Sequence, residues 1–531
     1  MRYYILVASF FFVLQSVFAQ SKSYDVCIYG GTSAGVIAAR QAADMGKSVI
    51  LIVPDGHIGG MATGGLGKTD TGKKYAIGGR SREFYRQLGA VYGKEEAWQF
   101  EPKAAAALFD EYLDAPTIEV VKDQRIDRVT KLHTTIQSVT LVPTYGEPRV
   151  TQVIAAKMFI DCTYEGDLMP LAGVSYTLGR ESNRTYRETL NGVHFIDYLE
   201  RRGGRHQFPD GVSPYITPGD PSSALVWGVT EGRLGESGGG DQLIQAYNFR
   251  ICLTDSVENQ LPITRPADYD STKYELLARL FRVQPELVGL NDYFIWSKMP
   301  NRKTDINNRG GFSTDMIGAN QEWPEGSFET RKRIYDAHVS YTKGLLYFMA
   351  TDPRVPENLR REVKKWGYPK DEFVSTGHFT PQLYIREARR LVGEGVLTQN
   401  NCQGKVKVDD PIGMGSYPMD SHNTQRIIIN GMVKNEGNVE KGGFDPYPIS
   451  YRTITPKREE CTNLLVPVCL STSHIAFGSV RMEPVFMILG ESAAVAAVQA
   501  INEGNPVQEI DYGTLKAQLE ANGQVLQLAN N

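Results

Sequence analysis

The sequence predicts an α/β fold with a large inserted α+β domain, and three observations support this prediction. Residues 24–53 read in order as a strand, a glycine turn, a helix and a second strand. Residues 157–161 read as a further strand that ends in a polar turn. A helix of small residues spans 484–501, after an apolar strand at 463–470. The long segment between these parts carries polar loops and helical stretches without a nucleotide-binding pattern.

The first unit follows the order of a strand–helix–strand crossover. An apolar run at 26–29 predicts a strand, and Gly30 and Gly35 mark a sharp turn into a helix. Gly46 lies where a helix is expected to end, and the apolar residues 49–53 predict a second buried strand. A crossover of this length implies two parallel strands.

A glycine turn of this kind binds diphosphate groups. Gly30 permits the tight turn, Gly35 lets the helix approach the strand, and the start of the helix attracts an anion. Thr32 replaces the usual middle glycine, and Val53 stands where a ribose-binding carboxylate is usual, with Asp55 as the nearest substitute. A plain packing role for the turn is the alternative. The residues predicted to bind the ligand here are Gly30, Gly31, Thr32, Ser33, Ala34, Gly35 and Asp55.

A second glycine-rich segment, residues 56–80, contains nine glycines. Backbone without Cβ atoms can lie directly on an extended ligand, although a flexible loop is the simpler interpretation of the segment alone. A turn with several polar residues, 162–167, follows the strand 157–161. Its last residue, Asp167, precedes an apolar run, which is the position of a helix N-cap. The contacts predicted from these two segments are Gly59, Gly60, Met61, Thr63, Cys162 and Thr163.

Composition excludes several classes of protein. The chain has 531 residues and a net charge of −4, with Lys and Arg dispersed, so nucleic acid is not an expected partner. Six cysteines occur without C-x-x-C spacing, which argues against iron–sulfur and structural zinc sites. Residues 1–19 have an early arginine, a short apolar core and small residues before the expected cleavage site after Ala19. We therefore expect a signal peptide and no membrane span.

Further motifs link these parts to a known family. They are IQAYNFRICLT at 244–254, QLYIREARRLVG at 382–393, GSYPMDSH at 415–422, YPISYRTITP at 447–456 and SHIAFGSVRMEPVFMILGESAA at 473–494. With the glycine turn and IDCTYEGDLMPLAGV, they cover nearly the whole mature chain. The chain resembles the FAD-dependent oxidoreductases with two dinucleotide-binding folds that are common among exported bacterial proteins.

The resemblance implies a Rossmann-like FAD-binding domain of the glutathione-reductase type. It also implies that the last small-residue helix directs its positive end at the flavin, with Gly478, Arg481 and Pro484 nearby. The predicted organisation is a signal peptide at 1–19, a first part of the FAD domain at 24–180, a substrate domain at 181–445, a closing part at 446–505 and a C-terminal tail at 506–531.

Three residues are candidates for catalysis. His474 ranks first because it lies between the last strand and the last helix, and Tyr451 and His422 follow. Histidine is a common general base, although a hydrogen-bonded structural role competes for each residue. Arg386 and Arg389 have helical spacing, which suits an ion-pair network with Glu387 and Glu394.

The expected function is hydride transfer between a small exported substrate and FAD, with an alcohol or sugar hydroxyl as the expected reacting group. The sequence does not name the acceptor that takes the electrons onward. Two alternatives stay open at this point. One is a nicotinamide-dependent dehydrogenase, and the other is a non-catalytic glycan-binding protein with a vestigial nucleotide fold.

The export prediction is tested on the N-terminus of protein expressed with its natural leader. Cleavage after Ala19 would leave Gln20 as the first residue, which mass spectrometry of the secreted or periplasmic fraction detects. A Phe11→Asp variant, which interrupts the apolar core, is expected to remain uncleaved. Parent protein that retains residues 1–19 would contradict the assignment.

Overall fold

The computed structural model describes residues 21–195 and 206–528. The predicted signal peptide therefore lies outside the described residues. The main sheet has seven strands in the order β3-β2-β1-β6-β5-β4, with β7 beside β6. Their bounds are β1 Ser21–Tyr29, β2 Val49–Val53, β3 Ile118–Lys122, β4 Gln124–Leu132, β5 Thr135–Pro143, β6 Gln152–Asp161 and β7 Leu464–Leu465.

The structure confirms the α/β fold and its first crossover unit. β1 lies parallel to β2 and to β6, with Val26 opposite Val49 and Tyr29 opposite Asp161. Helix α1, Ser33–Asp44, joins β1 to β2 after Gly30, whose φ of +109° is left-handed backbone that favours glycine. β2 is buried along its whole length between two parallel neighbours, which explains its continuous apolar sequence.

Residues 118–153 supply two edge strands and a further strand to the main sheet, and run into the start of β6. β3 is a parallel edge strand of the main sheet. β4 and β5 form an antiparallel hairpin, and β5 pairs with the first half of β6. β7 pairs with the second half of β6, at Phe159 and Ile160. On this side of β6, β5 is therefore the neighbour of its first half and β7 the neighbour of its second half, and the β4–β5 hairpin continues the main sheet.

The last strand is also shorter than predicted. Only Leu464 and Leu465 pair with β6, although the prediction extended the strand over residues 463–470. Pro467 has no backbone N–H to donate to a ladder, and the Val466 N–H already donates to Ile454 at 2.9 Å. The chain therefore leaves the sheet after two residues.

The helices cover the sheet and close the core. The helices used below are α2 Gly60–Thr63, α3 Gly79–Val91, α4 Pro102–Leu113, α5 Phe328–Thr351, α6 His474–Val480, α7 Glu483–Glu503 and α8 Tyr512–Ala521. α7 packs against α1, and a Cβ at Gly490 would collide with the backbone of Ala34. α7 is long and apolar enough to cross a membrane, but it lies in the core of the fold.

The C-terminal segment, predicted as a tail, contains α8. Leu515 and Leu519 of this helix are fully buried. All six cysteines are free and buried in the described part of the chain.

The region between β6 and β7 consists of short elements around α5. Its other α-helices among the described residues are Leu168–Leu171, Asn183–Tyr186, Glu275–Val283, Leu290–Tyr293, Glu357–Val363 and Gln399–Cys402. Its described antiparallel strand pairs are Tyr176–Thr177 with Arg390–Leu391, Asn248–Phe249 with Leu383–Tyr384, Gln260–Leu261 with Tyr368–Pro369, Phe294–Met299 with Lys303–Asn308, Pro411–Gly415 with Tyr447–Ser450, Met419–Ser421 with Val439–Lys441 and Gln425–Ile429 with Met432–Glu436.

Two local expectations in this region are wrong. Residues 382–393 are extended rather than helical, so Arg386 pairs with Asp315 while Arg389 pairs with Asp167 and Glu325. Asp167 does not cap the following helix, because its carboxylate is held by arginines. The Leu168 N–H instead donates to Asp161, at 2.8 Å.

Candidate active site

A cavity of about 1110 Å³ opens between the main sheet and the inserted region. One wall comes from the turns after β1, β2 and β6, at residues 30–32, 54–58 and 163–167. The opposite wall comes from α4, the start of α5 and residues 372–376 and 381–383. Open α/β sheets bind ligands at the carboxyl ends of their strands. The cavity exceeds the roughly 300–1,000 Å³ of pockets for drug-sized ligands, so an extended ligand fits.

The glycine turn has no room for side chains. A Cβ on Gly30 would lie 2.6 Å from the backbone of Cys162 and Thr163, and one on Gly35 would collide with the Gly30 carbonyl. Both glycines are therefore required for α1 to start close to β1 and β6. This brings the start of α1 to the cavity, where it can stabilise an anion.

Thr32 has a defined role in place of the middle glycine. It is the N-cap of α1, and its hydroxyl donates to the Cys162 carbonyl at 2.7 Å. The same oxygen accepts from the Gly35 N–H at 3.4 Å. The threonine thus fixes the turn between β1 and α1 against the end of β6, and this departure from the glycine pattern stabilises the site.

Carboxylates lie at the end of the cavity beside β2. Val53 is fully buried, whereas Asp55 faces the cavity and accepts the His57 N–H at 3.1 Å. Asp55 is exposed to solvent, and desolvation by the surrounding protein raises its pKa while the nearby His57 opposes the shift. Glu165 also lines the cavity, and burial raises its pKa to about 7. Sequence reasoning missed Glu165, which lies only two residues after the predicted contact Thr163.

The second glycine segment approaches the same cavity through α2. Gly59 has a φ of +91°, and Gly60 lies against the Tyr164 hydroxyl. That hydroxyl also accepts the Met61 N–H at 3.0 Å. Thr63 donates to the Ile58 carbonyl. Tyr164, which the sequence pattern did not single out, thus joins the turn after β6 to α2.

The predicted ligand residues divide into two groups. Those that line the cavity are Gly30, Gly31, Thr32, Asp55, Gly60, Thr63 and Thr163. Those that lie behind it or beyond it are Ser33, Ala34, Gly35, Gly59, Met61, Cys162, Gly478, Arg481 and Pro484. The Gly478 Cβ position lies 2.5 Å from the Asp420 carbonyl, so this glycine serves the contact between α6 and the inserted region.

A narrow crevice continues from the cavity towards α7. Tyr164 and Ile385 line both spaces, and Asp70, Tyr384 and Arg481 line only the crevice. Arg481 donates to the Tyr384 hydroxyl at 2.8 Å and to the Asp420 carbonyl at 2.9 Å. The crevice therefore ends in a group of buried charged residues.

His422 lies in this group between two carboxylates. Its Nδ1 is 3.0 Å from Asp315 Oδ2, and its Nε2 is 3.7 Å from Asp420 Oδ2. Asp315 also pairs with Arg386 at 2.9 Å. Burial favours neutral Asp420, but the charges of His422 and Arg481 outweigh it and hold the pKa of Asp420 below its usual range. Asp315 thereby orients the imidazole, with Nε2 on the side of Asp420.

His474 and Tyr451 are placed differently. His474 is 2% exposed; its Nδ1 lies 2.8 Å from Glu387 and its Nε2 lies 2.9 Å from the Ser421 hydroxyl. Tyr451 donates its hydroxyl to the Val507 carbonyl at 2.7 Å. None of the three candidates, His474, Tyr451 and His422, lines the cavity or the crevice, but the partner Asp420 of His422 is bound by Arg481, which does line the crevice.

One acidic cluster has the spacing of a metal site. Glu101, Asp371 and Glu372 direct carboxylate oxygens towards one another. The ammonium of Lys303 lies among them, 2.7 Å from Glu101, 2.9 Å from Asp371 and 2.5 Å from Glu372. The lysine charge thus supplies the cation that these carboxylates require.

A family model described as FAD dependent oxidoreductase matches residues 25–519. The chain belongs to the FAD-dependent oxidoreductase family. This FAD-dependent oxidoreductase is therefore a flavoenzyme, and the family match favours that function over the nicotinamide-dependent and glycan-binding alternatives. Searching the curated proteins gives no match.

Solved structures resemble limited parts of the oxidoreductase. L-proline dehydrogenase from P. horikoshii is 17% identical over 31% of this chain and 25% of its own, with a TM-score of 0.19. THI4 from Thermovibrio ammonificans is 18% identical over 32% of this chain and 71% of its own, with a TM-score of 0.23. The anhydrotetracycline hydroxylase OxyS from Streptomyces rimosus is 14% identical over 35% of this chain and 43% of its own, with a TM-score of 0.22. The oxidoreductase thus covers only a quarter of the proline dehydrogenase chain.

The cavity residues fit FAD. The glycine turn at the start of α1 suits the diphosphate, and the carboxylates of Asp55 and Glu165 suit the ribose hydroxyls. The backbone of Gly60 at α2 lines the same cavity, whose volume of about 1110 Å³ leaves space for the remainder of an extended dinucleotide.

Replacing Gly35 by Val is expected to abolish FAD binding. The branched side chain would collide with the Gly30 carbonyl and push the start of α1 away from β1. The flavin absorbance of purified protein measures the outcome, and circular dichroism checks the fold. Gly289→Val is the control, because a Cβ there meets only Asp292 Oδ2 at 3.4 Å. A folded Gly35→Val variant that retains FAD would contradict this role.

Asp55→Ala is expected to weaken FAD binding about 10- to 100-fold, because one hydrogen bond to a charged group contributes roughly 1.5–3 kcal/mol. Retention during dialysis and a fluorescence titration of the apoprotein measure the change. Asp409→Ala, at an exposed ion pair with Lys407, is the control. Unchanged affinity in Asp55→Ala together with a loss in Glu165→Gln would assign the ribose contact to Glu165.

Proposed function

We propose that this flavoenzyme oxidises a hydroxyl group of a small, neutral, polar substrate, and that His422 acts as the general base. Bound FAD supplies the hydride acceptor. The single observation that carries the proposal is the position of His422 between Asp315 and Asp420, in the charged group at the end of the crevice.

The charge balance around the crevice favours a neutral substrate. Arg250 pairs with Asp305 at 2.7 Å, and Arg386 pairs with Asp315. Including Asp70, Asp420 and Arg481, carboxylates outnumber guanidinium groups in this group of residues. An anionic substrate would meet no excess of positive charge there.

The exposed parts of the group suit hydroxyls. The side chains of Asp70 and Asp420 are 29% and 21% exposed, so acceptor oxygens face outward. Arg481 lines the crevice, and its Nε–H has no hydrogen-bond partner among the described residues. A hydroxyl both donates and accepts hydrogen bonds, so a compound with several hydroxyls, such as a sugar or polyol, matches these acceptors and this donor.

In the proposed step His422 Nε2 takes the hydroxyl proton of the substrate. Asp315 holds Nδ1–H and fixes the tautomer, as the orienting carboxylate does in other Asp–His pairs. The two flanking carboxylates stabilise the imidazolium that results. Arg481 binds the Asp420 carbonyl and the Tyr384 hydroxyl, so it holds the base and the crevice wall in one arrangement.

The setting of the reaction is part of the proposal. The N-terminal sequence supports export, so the substrate is expected to be a small molecule available outside the cytoplasm. The acceptor that reoxidises the enzyme would also be available there.

Replacing His422 by Asn is expected to slow flavin reduction by about 10²–10⁴, the usual contribution of a positioned base. Anaerobic stopped-flow measurement of flavin bleaching gives the rate, with FAD content measured in parallel. His206→Asn is the matched control, since this ring lies 6.1 Å from His422 and pairs with Glu440. The same assay on His474→Asn tests the candidate ranked first from sequence.

If His474→Asn slows reduction with FAD retained while His422→Asn does not, the base is His474 and the proposal fails. Equal loss in the His206 and His422 variants would also contradict it, because the effect would then follow the removal of any buried ring.

A further inference from the structure

Glu483 is a buried acid that joins both ends of the FAD-binding fold. It is the first residue of α7 and is 4% exposed. One carboxylate oxygen accepts from the Ser33 hydroxyl at 2.5 Å, and the other accepts from the Tyr164 hydroxyl at 2.7 Å. Ser33 follows the cavity residue Thr32, and Tyr164 itself lines the cavity. The carboxyl group therefore lies directly behind the turn that suits the diphosphate.

No cation balances this acid within the described part of the chain. The titratable groups that face it are Tyr164, Tyr85 of α3, and Asp70 and Arg481 across the crevice. Arg481 is held by Tyr384 and Asp420 instead. Burial raises the pKa of Glu483 to about 7, although the hydroxyl donors of Ser33 and Tyr164 favour the charged form.

A negative charge at Glu483 opposes an anion at the glycine turn. Like charges in a water-excluded environment disfavour each other, and the nearer group responds by taking up a proton. The hydroxyls of Ser33 and Tyr164 donate to the carboxylate, but they carry no positive charge that would cancel its negative charge. A neutral Glu483 keeps both hydrogen-bonded contacts without this repulsion.

We propose that FAD binding is linked to a proton on Glu483, so that the neutral acid binds FAD tightly and the carboxylate binds it weakly. This control depends on FAD binding, which the family establishes, and not on the proposed substrate or base. Glu483 is thus a positioning residue that acts on the cofactor through Ser33 and Tyr164.

The direction of the pH dependence follows from linkage. Bound diphosphate raises the pKa of Glu483 above its value in the free protein. Below about pH 7 the acid is neutral in both states, so its contribution to affinity is constant. Above that pH, binding takes up a proton and affinity falls by at most about tenfold per pH unit.

The test is FAD binding to apoprotein between about pH 6 and about pH 9, with proton uptake measured by calorimetry in buffers of different ionisation enthalpy. Glu483→Gln is expected to lose up to one proton of uptake and to bind with a flatter pH profile. Glu165 and Glu372 also line the cavity with pKa values raised to about 7 by burial. The proposal is therefore decided by the difference in proton uptake, and in the pH profile of FAD affinity, between the parent and Glu483→Gln.

Glu491→Gln is the matched control, because Glu491 is a fully buried acid of the same helix that binds Arg80, Asn522 and Gln524 instead. It is expected to keep the parent profile. If Glu483→Gln does not fold, Ser33→Ala replaces it: losing one donor raises the pKa of Glu483 and shifts the fall in affinity to higher pH. Parent-like proton uptake in Glu483→Gln, or an unshifted profile in Ser33→Ala, would overturn the proposal.

Discussion

The contact between α1 and α7 is the constraint on which the rest of the structure depends. Gly490 lets the two helices touch at Ala34, and Glu483 binds Ser33 across the same interface. These contacts join residues near the start of the chain to residues more than 400 positions later. They hold the glycine turn beneath the cavity and bring α6 and α7 to the crevice, so cofactor site and charged group share one rigid support.

The two parts of the site solve different electrostatic problems. The cavity beside the sheet offers backbone groups, a helix start, the exposed Asp55 and the half-buried Glu165, which suit an extended dinucleotide. The group around His422 is ionic and nearly fully paired, with Arg386 and Asp315 buried together. Removing one partner of such a pair leaves an uncompensated charge. We therefore interpret this group as a preorganised frame that fixes the orientation of a base.

The sequence predicted the features whose signals are local. The glycine turn, α1, β2 and the small-residue α7 were recognisable because spacing and residue type specify them within about 30 residues. The roles of Thr32, Tyr164 and Asp315 were not recognisable, since their partners are distant in the chain. The position of Asp167 likewise suggested a cap, and only the fold brings Arg331 to its carboxylate.

Anaerobic mixing of the FAD-loaded enzyme with a panel of substrates tests the central claim most directly. The panel pairs neutral sugars and polyols with hydroxy acids of similar size, and adds reduced nicotinamide cofactors. Flavin absorbance reports electron transfer. We predict bleaching by members of the neutral set and little by the acids, because the charged group has no excess of positive charge. Bleaching by the acids or by reduced nicotinamide alone would contradict the account.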